Sequence, residues 1–87
     1  MPRYFVTRVL GEISDEELDA AAHNSTRVRE ESFPDIGWEH SHVVRTPEGR
    51  TGYCVYVASD PDRIRAHAAA AGLPADSVLE IERDLLP

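Results

Sequence analysis

An α+β fold of element order β-α-β-β-α-β is predicted from three features of this 87-residue sequence. Ser14-Asp15-Glu16-Glu17 and Ser59-Asp60-Pro61 each carry the signals that open a helix. Between them, Pro47-Glu48-Gly49 is a tight-turn signal flanked by two runs of β-formers. Two more β-rich runs lie near the chain ends, which brings the count to four strands and two helices.

Taken in order, Arg3-Tyr4-Phe5-Val6-Thr7-Arg8-Val9-Leu10 is dense in β-branched and aromatic residues and stops at Gly11. Apolar residues fall on both of its faces, as in a central strand covered on both sides. Ser14 with Glu17 forms a capping box, and Ile13 and Leu18 stand where a hydrophobic staple would place them. Leu18, Ala21, Ala22, Ser25, Val28 and Arg29 trace one helical stripe. Asn24-Ser25-Thr26 is poor helix material, so fraying is expected there. The helix should end near Glu31 or Ser32, ahead of Phe33-Pro34.

Trp38-Glu39-His40-Ser41-His42-Val43-Val44 reads as the second strand and Thr51 to Ala58 as the third. Asp60 caps the second helix, Pro61 occupies its first position, and Gly72-Leu73-Pro74 ends it. Ser77 to Arg83 is the expected last strand. This order predicts the ferredoxin-like split βαβ arrangement as one domain, residues 1–87: a four-stranded antiparallel sheet with both helices on one face. The first and third strands are then central, and the second lies at an edge.

Composition narrows the functional classes. The net charge is −7, from nine arginines, no lysine and sixteen acids. Nucleic acid and anionic lipid are disfavoured, because binding them needs clustered cations. No apolar run approaches the ~18 residues of a membrane span, and the N-terminus lacks a signal-peptide pattern. A single cysteine cannot form an internal disulfide, so the expected compartment is a reducing cytoplasm. A chain this short buries only about 60–65 % of its unfolded surface, which favours assembly with a second copy.

The chemistry concentrates in the central hairpin. A three-residue loop, Pro47-Glu48-Gly49, pairs Thr46 with Arg50 and thereby sets His42 against Cys54 and His40 against Tyr56. In that register Trp38, His40, His42, Cys54 and Tyr56 share the sheet face away from the helices, while Val43, Tyr53, Val55 and Val57 lie under them. The first group is an exposed patch suited to a two-fold dimer through the open sheet face. It also supplies two imidazoles and a thiolate, a donor set for Ni, Zn or Cu rather than Mg or Ca. His40, His42 and Cys54 are the expected metal ligands. A Cys–His nucleophile pair is not favoured, because no glycine-rich or helix-N-terminal oxyanion site stands beside Cys54. His23 is expected in solvent, His67 at a packing boundary, and Glu39 on the helix side of an edge strand, guarding against further pairing.

Several segments together resemble a small family of ferredoxin-like nickel-binding proteins, first described as a domain of unknown function. They are Met1-Pro2-Arg3-Tyr4, Gly37-Trp38-Glu39-His40-Ser41, Tyr53-Cys54-Val55-Tyr56, and Ile64-Arg65 through Ala71-Gly72-Leu73-Pro74. The resemblance implies a dimer that binds a soft divalent ion, with His40 and Cys54 at the family's recurring His and Cys positions. An aromatic residue is more usual where His42 stands. The first expectation is therefore a cytoplasmic, non-enzymatic homodimer that sequesters or senses Ni(II) or a similar ion. The alternatives are a small dimeric monooxygenase or isomerase, holding an aromatic substrate in an apolar pocket between sheet and helices, and a metal-free interaction module.

Overall fold

The computed structural model describes residues 1–87. The elements follow in the expected order: β1 (Arg3–Gly11), α1 (Asp15–Ser32), β2 (Gly37–Thr46), β3 (Gly49–Val57), α2 (Pro61–Ala71) and β4 (Ser77–Glu80). The strands form one antiparallel sheet in the order β2-β3-β1-β4. This is the ferredoxin-like topology, with β1 and β3 central and β2 at an edge. No helix is long and apolar enough to cross a membrane.

Local chemistry sets the helix ends. The Ser14 hydroxyl accepts from the Glu17 amide while the Glu17 carboxylate accepts from the Ser14 amide, so the capping box is complete. That same bonding holds the Glu17 carboxyl below its usual pKa. Asp60 caps α2 through the Arg63 amide, and Gly72 closes it in the left-handed region at φ 69°. The middle of α1 does not fray. Asn24 donates to the Ala71 carbonyl and accepts from Arg27, and Ser25 is buried against α2, so tertiary contacts override a weak local propensity.

The core lies between the helices and one face of the sheet. Tyr4 and Val6 from β1, Cys54 and Tyr56 from β3 and Val78 from β4 pack with Val28 of α1 and Ile64 of α2. β4 stops at Glu80 rather than Arg83. Ile81 still donates to the Arg3 carbonyl, whereas the Pro2 carbonyl turns the other way, to the Ala58 amide after β3.

The central hairpin departs from the expected register. Its loop is two residues long, Pro47-Glu48, so Thr46 pairs with Gly49 and Arg45 with Arg50. His42 consequently faces Tyr53 and His40 faces Val55, one residue away from the expected pairing. A second irregularity follows: the ladder shifts between Trp38 and His40, leaving Glu39 as the unpaired residue of a bulge. Because side chains alternate, each slip moves a set of residues to the other face. Beside Tyr4 and Val6 of β1, Cys54 and Tyr56 enter the core, so Tyr53, Val55 and Val57 lie on the opposite face, and the slip leaves His40 and His42 there with them.

Gly49 makes the short loop workable. Its φ of 104° is disfavoured for other residues, and an added Cβ would lie 2.5 Å from the Gly11 carbonyl carbon. Gly49→Ala should lower the unfolding free energy by about 2 kcal/mol or more, read from the midpoint of urea denaturation. An unchanged midpoint would mean that the loop is not held in this geometry.

Candidate functional site

The sheet presents two chemically distinct faces, and the proposed ligands divide between them. On the open face the cross-strand rows are His42–Tyr53–Thr7–Ser77 and His40–Val55–Phe5–Leu79. Phe5 and Tyr53 stack with ring centroids 5.7 Å apart. Leu79 is 62 % exposed and Phe5 39 %. Against this apolar ridge, at the β2 edge, the exposed rings of His40 and His42 meet edge-on with centroids 5.3 Å apart. Two imidazoles at that spacing can turn their nitrogens onto one ion at about 2.1 Å each.

Cys54 does not join them. Its thiol is buried in the core on the helix side, opposite Ser41. The expected set of His40, His42 and Cys54 is therefore split by the sheet itself. The chain gathers no group of three His, Cys, Asp or Glu side chains suited to a metal. Trp38 and Tyr56 also leave the open face. The bulge turns Trp38 toward the helices, where its Nε1 donates to Ser41 Oγ at 2.9 Å.

Glu39 is not on the helix side either. Arg3 alternates with buried Tyr4, so it belongs to the open face, and it donates to both Glu39 oxygens, at 2.7 and 2.9 Å. This bidentate pair holds the Glu39 carboxyl below its usual pKa. Arg3 also reaches Asp84, tying the C-terminal tail to the same spot.

His23 is exposed, as expected. His67 is far deeper than a boundary position, at 1 % exposure. Its Nε2 lies 3.0 Å from the Ser25 carbonyl and Nδ1 has no partner, so the neutral ring donates from Nε2. Burial lowers its pKa, the Ser25 carbonyl opposes that shift, and the charges of Arg8 and Arg29 lower it further.

Residues 4–81 match the profile of the nickel responsive protein SCO4226-like family. The chain belongs to that family. The crystal structure of SCO4226 from Streptomyces coelicolor A3(2) superposes with a TM-score of 0.75 at 18 % identity, over 95 % of this chain and 99 % of that one. At that identity the superposition establishes the shared fold alone. No curated protein matches the sequence significantly.

Family members are thus expected to share the sheet, while the donors must be judged in each chain. Here His40 and His42 are the two imidazoles that the fold brings together on the open face.

Two arginines beside a cleft also carry signals in the sequence. Arg8 occupies the buried parity of β1, after Tyr4 and Val6, and Arg29 falls on the inward stripe of α1. The structure places both beside a cleft between α1 and the sheet.

Two expectations follow from these placements. Native protein should react with a water-soluble disulfide reagent at Cys54 at least about a hundredfold more slowly than urea-unfolded protein; equal rates would put the thiol on the open face. Stability should also fall as pH drops from about 6.5 toward 5. The unfolded His67 takes up a proton there that the buried ring refuses, so the loss is at most about 1.4 kcal/mol per pH unit. Denaturation midpoints across that range should flatten in His67→Gln; an equal slope in the variant would rule His67 out as the cause.

Proposed function

We propose that this protein binds Ni(II), or a similar borderline-soft divalent ion, at a site built on His40 and His42, and that it does so as a homodimer joined through the open sheet face. The observation that carries this reading is the exposed imidazole pair at one edge of an apolar sheet face, in a chain of a nickel responsive family. Nitrogen donors suit nickel, copper and zinc, and reject magnesium and calcium. Two donors do not complete a coordination shell, so water or a second copy supplies the rest.

The dimer rests on the apolar ridge of Phe5, Tyr53 and Leu79, with Val55 already buried between them. An apolar patch rimmed by polar groups marks an interaction surface, and an isologous mate offers the same patch in return. The ion is cargo or signal rather than a resident cofactor. Loading would bridge or order the β2 edge, a form suited to sequestration or sensing. A thiol kept inside the core agrees with a reducing, cytoplasmic setting, where Cys54 needs no partner.

In calorimetric titration the tag-free protein should bind Ni(II), with His40→Ala and His42→Ala each weakening it at least about tenfold and Cys54→Ser changing it less than twofold. Affinity should decline on acidification, because imidazole must be neutral to coordinate. Unchanged heats in both histidine variants would overturn the site. Sedimentation at tens of micromolar should give the mass of two chains; a monomer would remove the shared interface.

A further inference from the structure

On the other face of the sheet, a cleft of about 110 Å³ lies between α1 and the β2–β3 edge. Leu18, Val43, Trp38 and Tyr56 make its walls mainly apolar. Gly52 leaves the space open. A Cβ added there would come no closer than 3.9 Å to any neighbouring atom. Arg8, paired across the ladder with Gly52, and Arg29, from α1, bring the cleft its cations.

Both cations lack a counter-ion. Arg8 is 3 % exposed; its Nη1 donates to the Pro74 carbonyl at 2.6 Å, and its buried Nη2 has no partner. Arg29 is half-buried and donates only to the Ile36 carbonyl, at 3.2 Å. Elsewhere Arg3, Arg27, Arg45, Arg50, Arg63 and Arg65 all pair with carboxylates. Of the nine arginines only Arg8, Arg29 and exposed Arg83 lack an acid, in a chain with sixteen acids to offer. Burying a cation without an anion is costly, and this fold does so beside an open apolar cleft.

We infer that the cleft binds a small organic carboxylate with an apolar or aromatic body. A guanidinium matches a carboxylate bidentately, and the apolar walls take the remainder of the molecule. The cleft is smaller than the closed apolar cavity of about 150 Å³ that accepts benzene, but it opens to solvent, so a ring can enter it with its carboxylate toward the cations. An inorganic oxyanion would satisfy the cations but leave the apolar walls wet. No histidine or carboxylate lines the cleft; its polar groups are the two guanidiniums, the Cys54 thiol, the Tyr56 phenol and a few hydroxyls. It is also separate from the histidine pair, being on the opposite side of the sheet.

Trp38 is the only tryptophan and stands at the cleft, so its fluorescence reports occupancy. The full chain, kept metal-free with a chelator, is titrated with benzoate, with benzamide as the neutral isostere, and with inorganic phosphate. Benzoate should give a saturable change at least tenfold tighter than benzamide or phosphate. Arg29→Gln and Arg8→Met should each weaken it about tenfold, and Gly52→Val, which fills the space, should abolish it. Equal binding of benzamide would overturn the charge recognition. Phosphate binding as tight as benzoate would reassign the site to inorganic anions, and silence toward all three would overturn the proposal. Circular dichroism checks each variant; should Arg8→Met not fold, the wild-type ligand comparison and the other two variants decide.

Discussion

The constraint on which this molecule turns is the strict two-residue period of a pleated strand, applied to β2 as it lies against β3. A short Pro47-Glu48 loop sets the pairing for most of the hairpin, and the bulge at Glu39 resets it for Trp38. Between them these two irregularities decide which side chains reach the core and which reach the open face. The Arg3–Glu39 pair holds the extra residue on the open side, at the point where the ladder breaks. Trp38 can then face the helix side of the sheet, still half exposed, while His40 and His42 stay on the open side.

The result is a sheet with separate chemistry on its two sides. The open side has an aromatic and aliphatic ridge with imidazoles at its edge, the surface on which we propose a second copy and a borderline-soft ion. The covered side has a thiol, a phenol and an indole around a cleft lined by two unpaired guanidiniums. A thin sheet separates the two, so occupancy of one need not obstruct the other. Charge follows the same division: acids pair with arginines at the periphery, whereas Arg8 and Arg29 meet backbone carbonyls and no acid.

Much of the fold was legible because its signals are local. Ser14 with Glu17, Asp60 with Pro61, and Gly72 with Pro74 mark helix ends through hydrogen bonds spanning only a few residues. The site was less legible, because it depends on register. His40, His42 and Cys54 all stand in strands where they were expected, yet one residue of slip separates the thiol from the imidazoles. Nothing near Pro47 distinguishes a two-residue loop from a three-residue one by composition alone. The contest was settled by Cys54 and Tyr56 packing beside Val6 and Tyr4, which the hairpin's own sequence does not express. Arg8 and Arg29 were visible as charges at inward positions, but whether an acid would meet them depended on the whole fold.

By itself, then, the sequence determined the order of elements, their ends and the edge position of β2, since each follows from short-range hydrogen bonding and apolar periodicity. It also determined that His40 and His42 share a face, because two residues on one strand with one residue between them must do so. Only the tertiary structure decided which face that is, where Cys54 and Trp38 go, and that two arginines lie beside an apolar cleft without counter-ions. Those outcomes depend on how one strand lies against another, and on which side of the sheet the helices bury.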